Sequence, residues 1–356
     1  MKQRRKNIGF LSFWGINKGL PKMTLNYVKM LMDKHEVFVL KQGDNEISED
    51  FKEVSDLINI TEYPEYVVDA DFFKKWVLEN ELDYVLFNEY NQWVVQEENL
   101  VQVAKSLGVR TYGNLVLERF DELLPLDYDN ILAPTRSYMT LMRRLKIRNA
   151  ILAPFSLDLK LYKPKYLEVE EGEPFKFIHI AGTGGVHKRK NTDVVVEAFK
   201  LLDDENTTLT IVSQRDIKQV EHPRINYIIK DLPDKELYEL ISDHHACLNP
   251  SKWETIGIPI VESMALGTPV ITSDIPPMNE FVKPGVSGYL CRVHSSTYEG
   301  IAIEAAEVDP SELKVRMKSI MQPVLYNILA RNCRAVVEQE YDLDVNKYDF
   351  RLLFED

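Results

Sequence analysis

At 356 residues the chain is too long for one ordinary hydrophobic core and suits two domains. Its net charge of −13 and pI near 5.2 argue against nucleic acid as the main partner, because phosphate-backbone binders are usually basic. A small phosphate ligand can still be held in a local cationic pocket. Charges interrupt every apolar run before the ~18 residues that a membrane helix needs. Three cysteines, Cys247, Cys291 and Cys333, are odd in number and far apart. They fit buried thiols in a reducing compartment, by default the cytoplasm, better than a disulfide framework or a zinc site. The start MKQRRKN is basic like the head of a signal peptide, but only IGFLSFWGI follows, without a small-residue cleavage site before Lys18. These residues read as the approach to a first strand, with peripheral membrane contact by the basic start as the minor alternative.

Apolar runs then alternate with helix-period segments, the pattern of parallel α/β architecture. Residues 7–13 predict a buried strand, 15–22 a glycine-containing loop, 23–33 a helix and 36–40 a second strand. A strand at 83–88 precedes a helical segment around 93–107, for which Gly108 is the stop. Short strands at 130–135 and 149–154 flank a helix over 136–146. Two prolines, many charges and no sustained period mark 156–174 as the interdomain connection. A second series starts with a strand at 175–181, a loop, and a helix capped by Asn191 or Thr192. Strands follow at 208–213, 225–229, 246–249 and 269–273. The expected division is 1–158, a linker over 159–174, 175–335, and a C-terminal segment 336–356 expected to cross back to the first domain. Two doubly wound domains bind ligand at the carboxyl edges of their sheets. His244 and His245 lack partners at metal-ligand spacing, so a structural role is expected of them.

The informative stretch is NPSKWETIGIPIVESMALGTPVITS, residues 249–273. Glu254 falls in the turn after a strand, and Glu262 falls in the first turns of a helix that Pro259 can start at its N1 position. Gly267 and Pro269 end that helix. The amides of Thr255, Ile256, Gly257 and Ile258 precede or open the helix and can point at an anion, which a helix N-terminus stabilises by about 0.3–2 kcal/mol. Side chains lean towards the helix N-terminus, so Glu262 is expected to reach the same mouth. Carboxylates suit sugar and ribose hydroxyls because they accept charge-assisted hydrogen bonds. A second constellation, GTGGVHKRKNTDVVVEAF at 182–199, leaves a strand through a glycine-rich loop and enters a helix, a geometry that cradles phosphates. It is neither a Walker A loop nor G-x-G-x-x-G, since His187 stands at the last position.

Glu254-x7-Glu262, with Pro250-Ser251 before it and Gly257-Ile258-Pro259 and Gly267-Thr268-Pro269-Val270 after it, resembles the family 4 retaining glycosyltransferases of GT-B fold. The resemblance is close over 175–295 and weak over 1–158. It implies two Rossmann-like doubly wound domains facing each other across a cleft, with acceptor bound by the first and nucleotide sugar by the second. Glu254 would contact the donor sugar, Glu262 the ribose, and the amides of Thr255, Ile256, Gly257 and Ile258 the sugar or diphosphate. Counted back from Ala198-Phe199, Lys190 aligns with the family's diphosphate lysine. A cation about 4 Å from a phosphate oxygen is worth roughly 4 kcal/mol at an effective dielectric of ~20, before desolvation. The family's arginine after the first glycine is absent, because Gly182 is followed by Thr183 and Gly184. Either Arg189 or Lys188 substitutes, or diphosphate binding is weaker. Gly15 and Gly19 resemble the family's first glycine loop, whose backbone lies near the donor phosphate and the acceptor, which makes them donor-binding candidates. Glu89 and Glu118 follow strand-like segments and are candidates for the acceptor cleft or are plain surface residues, since the family's histidine there is missing. Glu280 is either a further donor-side glutamate or a helix cap.

The resemblance implies transfer of a hexose from a uridine- or guanosine-diphosphate sugar to a hydroxyl of a glycan, glycolipid or glycoprotein, with retention. The leaving diphosphate would be stabilised by Lys190 and oriented amides, with no essential metal and no other cofactor. Two alternatives stay open: a catalytically silent nucleotide-sugar-binding or scaffold protein of the same fold, and a nucleotide-sugar epimerase.

Overall fold

Near-continuous apolar runs become parallel strands here because helices can then cover both faces of each sheet. The computed structural model describes residues 4–16, 18–88, 99–114, 127–169, 172–184, 186–298 and 303–355. It divides into two compact units, one of Met1–Leu157 with Leu343–Asp356 and one of Asp158–Asp342. Each unit is a doubly wound α/β layer structure, in agreement with the alternation of the sequence.

In the first unit the strands are β1 (Asn7–Ser12), β2 (Glu36–Gln42), β3 (Asn59–Tyr63), β4 (Tyr84–Asn88), β5 (Arg110–Asn114), β6 (Asn130–Ala133) and β7 (Ala150–Leu152). They lie in the order β3-β2-β1-β4-β5-β6-β7 and pair in parallel throughout. The first helix spans Gly19–Leu31, so it begins four residues earlier than 23 and Gly19 is helical instead of part of a loop. Pro21 does not prevent this, because amides in the first turn have no partner inside the helix. Gly15 stays in the β1–helix turn at φ +90°, and a Cβ there would strike the Ile47 backbone at 2.8 Å. Among the described residues no helix is long and apolar enough to cross a membrane.

The second unit contains β8 (Phe175–Gly182), β9 (Thr207–Ser213), β10 (Ile225–Ile229), β11 (Ala246–Asn249), β12 (Val270–Ser273) and β13 (Gly288–Cys291), in the order β10-β9-β8-β11-β12-β13. All these pairings are parallel. The chain winds outwards in one direction from β8 and in the other from β11. The switch point therefore lies between the ends of these two strands, at Gly182 and Asn249, where doubly wound sheets leave a crevice. Phe177, Val195, Phe199, Leu209, Leu248, Ile271 and Met317 fill the core behind it. An antiparallel ribbon of β14 (Val293–Ser296) and β15 (Ala305–Val308) follows β13.

The last helix, Leu343–Leu352, returns to the first unit. Arg351 donates from Nε to the Met30 carbonyl at 2.6 Å and pairs with Asp33. Phe350 stacks on Tyr27 at 4.5 Å, and the fully buried Phe354 packs against Tyr84 and Tyr112 at 5.3 and 5.1 Å. Truncating a buried phenylalanine costs about 3–5 kcal/mol. Phe354→Ala should therefore destabilise the first unit by about that amount in urea denaturation, with the transition of the second unit unmoved. A loss under about 1 kcal/mol would contradict this role for the returning segment.

Candidate functional site

Because β8 and β11 are neighbours, the loops that leave them run side by side, although about 65 residues of chain separate them. Four hydrogen bonds tie the loops together, one of them from Arg189 Nη1 to Glu254 Oε2. Lys252 donates its amide to the Arg189 carbonyl at 2.8 Å, Asn191 donates from Nδ2 to the Pro250 carbonyl at 2.9 Å, and Lys190 Nζ reaches Glu254 Oε1 at 2.6 Å. Asn191 occupies the N-cap position of the helix Thr192–Leu202, yet its side chain makes no capping bond, because it is committed across the loops. Thr192 Oγ1 does not cap either and meets His179 Nε2 at 3.0 Å. His179 Nδ1 lies 2.7 Å from the Leu248 carbonyl, so it donates there and accepts from Thr192, as a neutral ring must. Burial first, and then the Lys190 charge, hold this imidazole down at about 4 against the favourable carbonyl bond.

Glu254 is the centre of the site. Its carboxylate is 5% exposed and takes Lys190 on Oε1 and Arg189 on Oε2, with Ser251 Oγ at 2.8 Å from Oε1. Burial opposes its ionisation, but the Arg189 and Lys190 charges and the hydrogen bonds from Lys190 and Ser251 prevail and hold it at about 2. The site thus centres on one buried carboxylate between two cations. Arg189, and not the more exposed Lys188, reaches this cluster; Lys188 pairs outwards with Asp193.

The next residues turn the chain into the helix Ile258–Ala265. Gly257 makes this possible. It sits at φ +89° and ψ 44°, and a Cβ there would crowd Ile260 at 3.2 Å. Ile258 opens the helix, which makes Pro259 its second residue where N1 was expected. Among the described residues no group accepts a hydrogen bond from the amides of Thr255, Ile256 or Gly257. Three buried polar atoms of the same stretch of chain also lack partners among the described residues: Asn249 Nδ2, Trp253 Nε1 and Thr255 Oγ1. Glu262 lies in the same helix, 3% exposed, with its Oε1 at 3.1 Å from both Tyr162 Oη and Tyr238 Oη.

Several of these partners gave no signal in the sequence. Trp253, fully buried, lies 4.9 Å from Tyr298 and 6.2 Å from His187. The ribbon is fixed to the same loop by the Ala306 amide on the Lys252 carbonyl and by a Lys252–Glu307 ion pair of 2.8 Å. Gly182 ends β8 and Gly184 follows it, with φ of +56° and +79°. The structure therefore brings Glu254, Arg189, Lys190, Gly182, Gly184, Thr255, Ile256, Gly257, Ile258 and Glu262 to one edge of one sheet. Gly15 and Gly19 belong to the first unit, and Glu89 and Glu118 lie outside the described residues. Glu280 is half-buried on the short helix Met278–Phe281.

The depressed Glu254 pKa fixes a sign. A carboxylate lowered from 4.5 to about 2 contributes stability that is complete above pH 4.5 and is lost as pH falls towards 2. Removing one member of a buried ion cluster costs about 3–5 kcal/mol. Glu254→Gln should lower Tm clearly at pH 6, and the gap to wild type should narrow between pH 4.5 and 3. A gap that stays constant with pH would show that the carboxylate is not ionised.

Residues 171–320, the stretch that holds the whole cluster, match the family described as glycosyl transferases group 1. An uncharacterised 41.2 kDa protein from the cps region of Klebsiella pneumoniae is 28% identical over 116 residues, 32% of each chain. The match thus spans about a third of the length of that curated relative. Among solved structures, Anabaena HepE in complex with UDP and glucose superposes with a TM-score of 0.72 at 14% identity, covering 98% of both chains. TarM superposes with a TM-score of 0.75 at 10% identity over 100% of both. The fold is GT-B, and residues 171–320 carry the match to the group 1 glycosyl transferases.

Proposed function

We propose that the protein moves a hexose from a nucleoside-diphosphate sugar, uridine- or guanosine-linked, to an acceptor hydroxyl with retention of anomeric configuration. The observation that carries this reading is the buried Glu254–Arg189–Lys190 cluster beside unpartnered amides at a helix start. Such a site offers hydrogen-bond donors and positive charge to a diphosphate, and a fixed carboxylate to sugar hydroxyls. The solved complex of HepE with UDP and glucose supports a uridine donor for a chain of this fold.

In this reading Glu254 accepts from the sugar hydroxyls while its two cations hold it ionised. Lys190 and Arg189 share their donors with the diphosphate oxygens. As the anomeric C–O bond breaks, the nucleoside diphosphate leaves with the electron pair, the acceptor oxygen bonds to the anomeric carbon on the same face, and the acceptor's proton passes to the departing phosphate oxygen. Its growing charge meets cations and amides already oriented, so little reorganisation is needed. Gly182 and Gly184 give the diphosphate close access to the main chain, and Glu262 accepts from the ribose. We assign Gly15 and Gly19 to main-chain contacts in the first unit, and to that unit a glycan, glycolipid or glycoprotein acceptor. No metal or cofactor is required by this scheme. The three free, buried cysteines support a cytoplasmic location, with contact to a membrane at most peripheral.

Thermal-shift screening against nucleoside diphosphates and their sugars tests the assignment. A ligand at 100 times its Kd adds about 2.7 kcal/mol of stability. One base should be selected, and both Lys190→Ala and Glu262→Ala should reduce the shift. Turnover of the selected donor should persist in excess chelator and give a product with the donor's anomeric configuration by NMR. A protein that no donor stabilises would overturn the assignment, and activity abolished by chelator would overturn the metal-free scheme.

A further inference from the structure

Two buried tyrosines converge on Glu262 from outside every motif described above. Tyr162 comes from the segment that opens the second unit, and Tyr238 from the helix Asp234–Ser242. Their rings pack at 4.5 Å with a tilt of 39°, and their hydroxyls are 2.8 Å apart. Both hydroxyls lie at 3.1 Å from the same carboxylate oxygen, Oε1. The relative exposures of Tyr162, Tyr238 and Glu262 are 4%, 8% and 3%.

Phenylalanine in either place would supply the same ring packing, so the hydroxyls need a polar reason to be buried. Two phenolic protons serve three close oxygens. Either both bond Oε1, or one passes its bond through the other; in each case Oε1 is engaged. A carboxylate held at one oxygen presents its other oxygen in one direction. Burial, and then the Glu262 charge, raise both phenols well above their ordinary value, so both remain donors. Tyr162 is itself held fast. Arg334 Nη1 donates to the Tyr162 carbonyl at 2.9 Å and to the carbonyl of Ala265, the last residue of the Glu262 helix, at 2.7 Å. Three residues on, the Lys165 amide donates to Leu266 at 3.0 Å. The frame that carries the tyrosine is therefore the helix that carries the glutamate.

We infer that Tyr162 and Tyr238 are positioning residues that aim the Glu262 carboxylate and so determine how strongly the site distinguishes a ribonucleotide from a deoxyribonucleotide. This rests on the reading that Glu262 accepts from the ribose of a nucleoside diphosphate. A misaimed carboxylate loses a charge-assisted bond to the sugar hydroxyl, about a tenfold loss in affinity. A purely structural tyrosine would weaken every ligand alike.

The test is calorimetric titration of wild type, Tyr162→Phe and Tyr238→Phe with uridine and guanosine diphosphates and with the 2′-deoxy and 3′-deoxy forms of whichever binds. Wild type should prefer the ribonucleotide over at least one deoxy form by about tenfold or more. Each variant should lose most of that preference by weaker ribonucleotide binding, with affinity for that deoxy form unchanged. Either variant alone decides, so poor folding of one leaves the other as the test. Ribonucleotide and deoxynucleotide weakened equally, or neither weakened, would overturn the positioning role while leaving the donor site intact. A wild type that binds all forms equally would overturn the ribose role of Glu262 and this inference with it. A wild type that binds neither diphosphate would overturn the proposed function itself.

Discussion

The ion cluster of Glu254 with Arg189 and Lys190 is the constraint on which the site depends. A carboxylate and two cations at 5%, 17% and 9% side-chain exposure persist only when paired, because burying an isolated charge costs several kcal/mol. Glu254 comes from the loop after β11 and both cations come from the loop after β8, so pairing them requires these loops to meet. The doubly wound order places the two strands side by side, and the loops are then bonded together through Lys252, Asn191 and Lys190. The backbone follows this demand. His187, Lys188 and Asn191, none of them glycine, all have φ between +49° and +57°. Such left-handed residues are uncommon and gather where surrounding contacts over-determine the chain.

The neutral His179 belongs to the same balance. Charged, it would place a third cation near Lys190 with one carboxylate to answer it. Held at about 4, it stays neutral at physiological pH and spends its two nitrogens on β11 and on the helix after the loop. The cluster thereby takes on no third cation beside Arg189 and Lys190.

The sheets were legible because parallel strands buried on both faces read as apolar runs; 225–229 and 246–249 agree with the structure residue for residue. β3 was not read, since NITEY at the sheet edge is only partly buried and lacks such a run. Glu254 and Glu262 were legible because glycine and proline punctuate the turn and helix between them. The pairing of Glu254 with Lys190 was not, as no local period links residues 64 apart. Tyr162 was hidden for a different reason. The segment around it has no helical or strand period, so it reads as a connection, and its order comes from side-chain and carbonyl bonds to Arg334 and Glu262.

The polar groups of the site divide in a way that points to the ligand. Both carboxylates already accept: Glu254 from two cations and a serine, Glu262 from two tyrosines. The groups with no partner among the described residues are nearly all donors, namely the amides of Thr255, Ile256 and Gly257, Asn249 Nδ2 and Trp253 Nε1, with the Thr255 hydroxyl able to serve either way. A buried donor left unsatisfied costs about 1–3 kcal/mol, so a set of them is kept only where something answers it. An apolar ligand would answer none of them, and a cation would be repelled by Arg189 and Lys190. A ligand rich in acceptor oxygens satisfies these donors, and a diphosphate joined to a sugar is such a ligand.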